Sequence, residues 1–176
     1  NNGVIIPVDS EHNAIFQVIH AQKNPDEIRK LILTASGGPF RGMSLNELRN
    51  VSIEDALNHP NWNMGNKITI DSATMMNKGF EVIETKWLFN INAKDINILV
   101  HPQSIVHSMV EFKDTSIKAQ LGFPDMKIPI NYALNYPSHS VLDLPSLNLD
   151  KISTLTFEKP DLKKFKCIQL AYDSMN

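Results

Sequence analysis

Two carboxylates, Asp9 and Glu11, stand where an apolar run ends and a helical pattern begins. Ligand-binding groups in α/β architectures commonly lie at the point where a buried strand gives way to a helix. Paired carboxylate oxygens at such a point suit a hard divalent cation such as Mg²⁺ or Mn²⁺. The same spacing also fits a structural role, in which Asp9 caps the helix and Glu11 complements its dipole. The pair alone therefore leaves both interpretations open.

A hydroxyl, an amide, an ammonium and a carboxylate occur close together near the start of the longest predicted helix, at Ser72, Asn77, Lys78 and Glu81. Asn77 and Glu81 are one turn apart and share a helix face. Free backbone N–H groups and the helix dipole favour an anion there, and Lys and hydroxyl donors add charge-assisted hydrogen bonds, which favours phosphate. The alternative is a solvated helix face. Gly79 costs about 1 kcal/mol relative to Ala within a helix. Because this cost favours a functional reason for the segment, the functional and structural interpretations have equal weight.

Three further features could contribute to a site, although each also has a purely structural explanation. Ser36-Gly37-Gly38 resembles an anion-binding turn, but a Gly-Gly pair is more often a simple turn. Trp62 and Met64 lie in an aperiodic polar loop, where they either cover a substrate or anchor the loop. Three histidines could be ligands, acid–base groups or structural residues: His59, His101 and His107.

The elements that must position these residues follow from hydrophobic periodicity. Short β-branched or alternating apolar runs predict strands at residues 3–8, 28–34, 67–70, 96–100, 106–112 and 116–121. Capping residues and helical periodicity predict helices at residues 44–50, 52–57, 73–90 and 162–175, and one that starts at Asp9 or Ser10. The last two strands are separated by a hairpin-length link, which predicts antiparallel pairing. Residues 136–161, with a strand-like stretch at 153–157, are predicted to form a linker.

Composition excludes several classes of protein. The chain has 176 residues with 17 Lys and Arg against 19 Asp and Glu, so its net charge of −2 provides no basic field for nucleic acid or an anionic membrane. No apolar run approaches the roughly 18 residues that span a bilayer. A hydrophobic content of 42% is typical of a globular protein. The single cysteine, Cys167, excludes an internal disulfide framework and a cysteine-based zinc cluster.

Five segments, taken together and in this order, resemble the 1-deoxy-D-xylulose 5-phosphate reductoisomerase family. They are residues 7–16 (PVDSEHNAIF), 36–40 (SGGPF), 59–65 (HPNWNMG), 71–79 (DSATMMNKG) and 101–104 (HPQS). The resemblance covers essentially the whole chain. It implies an α+β fold with a mostly antiparallel sheet, helices on one face and a flap loop over the active site. It further implies a catalytic domain at residues 1–135, a linker at 136–161, and the first helix of a C-terminal helical domain at 162–176.

The resemblance also implies a role for each candidate residue. The implied metal ligands and catalytic carboxylates, for Mg²⁺ or Mn²⁺, are Asp9, Glu11 and Glu81, of which Glu11 and Glu81 also bind substrate. The implied contacts to the substrate phosphate are Ser36, His59, Ser72, Asn77 and Lys78. The remaining implied positions are Ser10 at the substrate backbone, Gly65 near the nicotinamide cofactor, and Trp62 and Met64 in the flap.

The activity that this resemblance implies is the NADPH-dependent conversion of 1-deoxy-D-xylulose 5-phosphate to 2-C-methyl-D-erythritol 4-phosphate in non-mevalonate isoprenoid biosynthesis. The resemblance also implies an NADPH-binding domain before residue 1. No Gly-rich dinucleotide turn occurs in the chain, and these residues alone are expected to be inactive. A homodimer of the full-length protein is expected, in bacterial cytoplasm or in a plastid. Two alternatives remain, another metal-dependent phosphosugar enzyme such as an aldolase and a non-catalytic phosphate-binding module. A nucleotide-binding sequence upstream would favour the reductoisomerase over both.

Overall fold

The computed structural model describes residues 3–20, 22, 24–60, 62 and 64–175. The helices are α1 (Ser10–His20), α2 (Ile53–Leu57), α3 (Asn66–Ala73), α4 (Met76–Phe89), α5 (Lys127–Asn135), α6 (Leu149–Ile152) and α7 (Lys166–Asp173). The strands are β1 (Ile28–Ala35), β2 (Ile96–Val100), β3 (Val106–Phe112) and β4 (Ile117–Leu121). Short 3-10 turns occur at Pro25–Glu27, Glu47–Asn50 and Ala93–Asp95. Within these residues, no helix has the length and apolar character that crossing a membrane requires.

The strands form a four-stranded sheet in the order β2-β1-β3-β4. β1 pairs with β3 and β3 pairs with β4 in antiparallel fashion, whereas β1 and β2 are parallel. The parallel pair requires a crossover, which the long segment containing α2, α3 and α4 provides. Two antiparallel pairs out of three confirm the α+β class with a mostly antiparallel sheet.

One face of the sheet forms the main hydrophobic core with α1 and α4. Leu31 and Leu33 alternate along β1 and are fully buried in the same cluster as Ile15 of α1 and Val82 of α4. Burial of each such side chain contributes about 2 kcal/mol, so the two helices are held firmly against the sheet. This packing brings the start of α1 next to the first turns of α4, as the candidate site requires.

Helix α7 packs along α4, and Gly79 lies in their contact. A Cβ atom at Gly79 would lie 3.1 Å from the Cβ of Ala171 and 3.2 Å from the carbonyl oxygen of Cys167. Ile168 and Ala171 are buried in this contact. The helix predicted at residues 162–175 is therefore present but shorter, and the predicted division of the chain into domains stays a prediction.

Two of the predicted strands are wrong. Residues 3–8 form no strand, and Val4 and Ile5 are 71% and 74% exposed, because no neighbouring strand in the described part of the chain pairs with them. Residues 67–70 belong to α3, where the hydroxyl of Thr69 donates to the carbonyl oxygen of Gly65 at 2.9 Å. The alternation of polar and apolar residues in that stretch also fits a short amphipathic helix.

The predicted helix at residues 73–90 begins later than expected. Met75 has a left-handed backbone with φ of 59°, so the chain turns sharply between α3 and α4. Residue 73 consequently ends one helix, and Met76 begins the next. Such a break depends on tertiary packing of the buried Met75 side chain, which periodicity does not reveal.

The short predicted elements are correct only in part. Helix α2 has the expected cap, since Ser52 and Asp55 exchange side-chain and backbone hydrogen bonds. Residues 44–50 form only a 3-10 turn at Glu47–Asn50. Residues 153–157 do not form a strand, although Glu158 makes an isolated antiparallel bridge with Val100.

Candidate active site

One cleft of about 270 Å³ brings together most of the candidate residues. The residues that were predicted from the sequence and that line this cleft are Asp9, Ser10, Glu11, Ser36, His59, Trp62, Met64, Ser72, Asn77 and Lys78. Glu81 does not line the cleft, but its carboxylate accepts hydrogen bonds from Asn77 and Lys78, which do. Gly65 is exposed at the N-cap of α3 and does not line it.

Three carboxylates meet at one end of this cleft. Asp9, Glu11 and Glu81 each offer an oxygen within 4.8 Å of the other two. Asp9 immediately precedes α1, Glu11 is in its first turn, and Glu81 is in α4 and is 2% exposed. The packing of α1 beside α4 therefore assembles the carboxylate cluster from two segments that are far apart in sequence.

Lys78 supplies the positive charge within the carboxylate cluster. Its Nζ donates to Glu11 Oε1 at 2.9 Å and to Glu81 Oε2 at 2.5 Å, and the residue is only 4% exposed. The amide of Asn77 donates to Glu81 Oε1 at 2.7 Å, and the hydroxyl of Ser10 donates to Glu11 Oε2 at 2.6 Å. These groups hold both glutamates in fixed orientations.

The close approach of the charges separates the pKa values of the three acids. Burial and then repulsion from Glu11 raise the pKa of Asp9 and the pKa of Glu81 well above their usual ranges. Burial also acts to raise the pKa of Glu11, but the Lys78 ammonium and the hydrogen bonds to its carboxylate outweigh it and lower that pKa to about 2. Burial opposes the charge on Lys78, yet Glu11 and Glu81 raise its pKa overall. A divalent cation would favour the ionised form of all three acids.

The cluster offers only oxygen ligands, which suits Mg²⁺ or Mn²⁺. A second group, Asp9, His12 and Glu84, also has ligand atoms within 4.8 Å of one another. The Nε2 of buried His12 donates to the carbonyl oxygen of Glu81 at 3.0 Å, and its Nδ1 lies 3.7 Å from Glu84 Oε2. His12 thus supports the backbone behind Glu81, a position for which the sequence carries no separate signal.

Neutral hydrogen-bonding groups occupy another part of the cleft. The backbone N–H of Trp62 donates to Nδ1 of His59 at 3.0 Å, so Nε2 of the neutral ring carries the proton and donates to Ser36 Oγ, also at 3.0 Å. Burial lowers the pKa of His59, which favours this neutral form. Ser36 and His59, 23 residues apart, are therefore joined as the proposed anion site requires.

The Gly37-Gly38 turn, which directly follows Ser36, packs against the backbone of Ser72. Both glycines have positive φ values, 89° and 66°, and the N–H of Gly38 donates to Ser36 Oγ at 3.3 Å. A Cβ atom at Gly38 would lie 2.5 Å from the carbonyl oxygen of Ser72. The turn after β1 and the end of α3 therefore approach closely only because residue 38 has no side chain.

Replacing Gly38 with Ala is expected to destabilise the protein by about 2 kcal/mol or more, because a left-handed backbone and a backbone contact are strained together. The same change should weaken the binding of a phosphorylated ligand by separating Ser36 from Ser72. Thermal unfolding and ligand titration measure the two effects. Gly42→Ala is the matched control, since a Cβ atom there meets nothing within 4 Å. Equal behaviour of the two variants would contradict the prediction.

The cleft is also lined by residues outside the set that the resemblance assigns to the site: Thr34, Gly37, Ile68, Met75, His101, Ser104, Val106, His107 and Met126. His101 and His107 make structural hydrogen bonds, the first from Nδ1 to the carbonyl oxygen of Thr156 at 2.9 Å and the second from Nε2 to that of Phe123 at 3.2 Å. His101 follows β2 and His107 lies in β3, on either side of β1 in the sheet. The sequence pointed to both histidines without deciding their role, whereas Thr34 and Met126 have no local signal.

Two family models match the chain. One, described as the 1-deoxy-D-xylulose 5-phosphate reductoisomerase C-terminal domain, matches residues 5–89. The other, described as the DXP reductoisomerase C-terminal domain, matches residues 121–176. Together they cover most of the chain, including the three carboxylates.

Two curated relatives carry the name 1-deoxy-D-xylulose 5-phosphate reductoisomerase. The protein from Acetivibrio thermocellus is 60% identical over 171 residues, which are 97% of this chain and 45% of the relative. The protein from Chloroherpeton thalassium is 61% identical over 170 residues, which are 97% of this chain and 44% of the relative. The chain thus spans less than half the length of these relatives.

Solved structures agree with the sequence comparison. A crystal structure of DOX-P reductoisomerase in complex with NADPH, fosmidomycin and magnesium matches with a TM-score of 0.91 and 48% identity, over 98% of this chain and 44% of that one. The Zymomonas mobilis reductoisomerase in complex with NADPH matches with a TM-score of 0.86 and 49% identity, over 96% of this chain and 42% of that one. Sequence, fold and site geometry converge, and the chain belongs to the 1-deoxy-D-xylulose 5-phosphate reductoisomerase family.

Proposed function

We propose that this chain is the metal- and substrate-binding part of an enzyme that converts 1-deoxy-D-xylulose 5-phosphate to 2-C-methyl-D-erythritol 4-phosphate with NADPH. The proposal rests on one observation: the carboxylate cluster and the neutral hydrogen-bonding groups Ser36 and His59 meet at the same cleft. A phosphosugar requires both parts, because its oxygens can complete a cation's coordination while its phosphate takes hydrogen bonds and positive charge. The names and ligands of the relatives point the same way.

The residues present fit a divalent cation. Asp9, Glu11 and Glu81 would hold it, because their oxygens already lie close enough together to coordinate one cation. When bound, Mg²⁺ or Mn²⁺ supplies Lewis acidity toward the ketone and hydroxyl oxygens of the substrate during the skeletal rearrangement. Asn77 and Ser10 orient the glutamates through the hydrogen bonds at 2.7 and 2.6 Å.

The other residues of the chain bind the non-reacting end of the substrate. Ser36, His59, Ser72 and Asn77 supply uncharged donors to the phosphate, and Lys78 supplies charge. Lys78 lies at the boundary of the two regions, so its ammonium can exchange carboxylate partners for phosphate oxygens when a cation neutralises the acids. Binding energy from the phosphate then holds the reacting carbons in place.

NADPH supplies the hydride for the reduction, and most of its binding site is assigned here to a part of the protein outside this chain. The absence of a Gly-rich dinucleotide turn supports this assignment. Gly65, exposed at the N-cap of α3, lets a cofactor approach the backbone closely. A homodimeric full-length enzyme in bacterial cytoplasm, or in a plastid, completes the proposal.

The test is turnover by the full-length polypeptide that contains this chain. With 1-deoxy-D-xylulose 5-phosphate and Mg²⁺, NADPH should be oxidised in equal amount to the 2-C-methyl-D-erythritol 4-phosphate formed. An aldolase would instead release two carbon fragments without consuming NADPH. A binding module would bind inorganic phosphate with no turnover at all. Either result would reject the proposed reaction.

The loop that carries Trp62 and Met64 is proposed to close over the bound substrate. Trp62 lines the cleft and is partly exposed, while Asn61 and Asn63 of this loop lie outside the described residues. Apolar groups beside a ligand gain by covering it and excluding water. In the full-length Trp87→Phe enzyme, a phosphonate substrate analogue with Mg²⁺ should change the emission of Trp62 and slow proteolysis of the loop.

Trp87 is removed because it is 75% exposed and would mask the signal. A Trp62→Phe, Trp87→Phe enzyme shows how much of the change comes from Trp62. If emission and proteolysis are the same with and without the analogue, the loop is a fixed anchor and does not close.

A further inference from the structure

Lys164 makes an unusual set of contacts with the segment that follows the Gly37-Gly38 turn. Its Nζ donates to the backbone carbonyl oxygens of Arg41 and Met43, both at 2.7 Å, and of Phe40 at 3.3 Å. An ammonium has three N–H donors, so these carbonyls use its full capacity. Hydrogen bonds from a charged donor are stronger than neutral ones, and the segment is fixed at three points by one side chain.

Lys164 belongs to a longer segment, residues 156–165, which we name the strap. The backbone of Glu158 pairs with Val100 through bonds of 2.8 and 2.9 Å, and its carboxylate contacts Arg41 at 2.5 Å. The carbonyl oxygen of Thr156 accepts from His101 at 2.9 Å. The strap therefore runs from the end of β2 to the chain that leaves β1.

The segment that the strap holds is continuous with the anion-binding half of the cleft. Ser36 bonds His59, and Gly38 lies directly against the carbonyl of Ser72. Phe40 is 7% exposed and packs in the core two residues after Gly38. Residues 40–43 therefore continue directly from the turn that carries Ser36 and Gly38.

We propose that Lys164 is a positioning residue for the substrate phosphate, acting through residues 36–43. The inference rests on the proposed function, since it takes the Ser36, His59 and Ser72 region as the phosphate pocket. Lys164 does not touch the cleft itself, so its effect passes through the three carbonyls that it fixes. Small displacements of binding groups are sufficient to weaken ligand binding strongly.

The test compares Lys164→Met with Lys163→Met in the full-length enzyme. Methionine keeps most of the side-chain length and removes the donors, and the neighbouring exposed Lys163 is the matched control. Lys164→Met should raise the KM for the phosphosugar and the inhibition constant of inorganic phosphate by about tenfold each, with kcat within about twofold of wild type. Lys163→Met should leave all three unchanged.

Two further measurements separate positioning from general stability. Trypsin cleavage after Arg41, which lies in the segment that Lys164 contacts, should be several-fold faster in the ligand-free Lys164→Met enzyme, at a temperature where both proteins are folded. Lys164→Arg, which keeps a cation with several donors, should recover most of the lost phosphate affinity. If Lys164→Met does not fold, Lys164→Gln replaces it and should raise the same two constants, because a shorter, neutral amide does not reproduce the three carbonyl contacts of the ammonium.

Unchanged KM and phosphate inhibition in a folded Lys164→Met enzyme would overturn the proposal, and so would a Lys164→Arg enzyme that recovers nothing. A parallel fall in kcat and thermal stability without a KM change would also overturn it. Failure of the proposed function looks different, because the wild-type enzyme would then not turn over the phosphosugar. The proteolysis result is independent of that reaction.

Discussion

Replacing Glu81 with Gln is expected to lower kcat of the full-length enzyme by about a thousandfold, or about 4 kcal/mol of transition-state stabilisation, at saturating Mg²⁺. The change removes one of three carboxylates that converge within 4.8 Å, while the amide keeps the size of the side chain. KM should change less than kcat, because the amide oxygen of Gln can still accept from Asn77 or Lys78, while Ser36, His59 and Ser72 hold the phosphate from other segments. Steady-state kinetics with a parallel calorimetric titration of Mg²⁺ measure both effects.

Glu84→Gln is the matched comparison for this prediction. Glu84 is one turn further along α4, its side chain is 56% exposed, and it belongs to the alternative ligand group with Asp9 and His12. If the cation binds in the cleft, Glu84→Gln should leave kcat and Mg²⁺ affinity nearly unchanged. A large loss in Glu84→Gln with a small one in Glu81→Gln would move the metal site to the other group.

Lys78→Ala is expected to raise KM by about tenfold to a hundredfold, with a smaller effect on kcat. The phosphate loses a charged hydrogen bond of about 1.5–3 kcal/mol, and each 1.4 kcal/mol is about a factor of ten in affinity. The same change should strengthen Mg²⁺ binding, because the ammonium that neutralises Glu11 and Glu81 is gone. Opposite changes in substrate and metal affinity are the distinctive result.

Folding stability provides an independent test of the role of Lys78. Removing Lys78 leaves buried carboxylates without their partner, which should cost about 3 kcal/mol in the metal-free protein. Mg²⁺ should then raise the melting temperature of the variant more than that of the wild type. Lys67→Ala is the control, since the Lys67 side chain is 82% exposed and its Nζ contacts Asp71 and the Phe80 ring rather than the buried acids. An unchanged KM in Lys78→Ala would reject the phosphate assignment.

Hydrophobic periodicity predicted the sheet well because its strands are short apolar runs with clear boundaries. Leu31, Leu33 and Val110 are fully buried, and the two glycines after β1 end that strand where the sequence indicates. Periodicity also located α1, whose first turn carries Glu11. These elements are local in origin, so one sequence is sufficient to identify them.

The predictions failed where tertiary contacts decide the conformation. Residues 3–8 have strand composition but lack a pairing partner among the described residues, and residues 67–70 alternate in a manner that suits either a strand or a helix turn. The left-handed Met75 is not favoured by its own side chain and depends on its buried surroundings. Neither composition nor spacing contains that information.

The residues of the candidate site were predicted from the sequence, but the contacts between them were not. The family resemblance joined Asp9 and Glu11 with Glu81, and the structure brings their oxygens together. The ion pairs of Lys78 with these acids, and the carbonyl contacts of Lys164, require knowledge of which helices and loops pack together. The roles of the individual residues in binding and catalysis stay predictions until the variants are measured.

The second turn of α4 has a consequence for sequence variation. Lys78 and Glu81 face the site, Gly79 faces α7 where a Cβ atom would be tightly packed, and Val82 is fully buried in the core. Selection for function and selection for folding therefore act on different sides of this turn. Among residues 78–82, only Phe80 is exposed, at 39%. Most substitutions within this turn should be removed by one form of selection or the other, whereas substitutions of Trp87, which lies further along α4 and is 75% exposed in this chain, should be tolerated more readily.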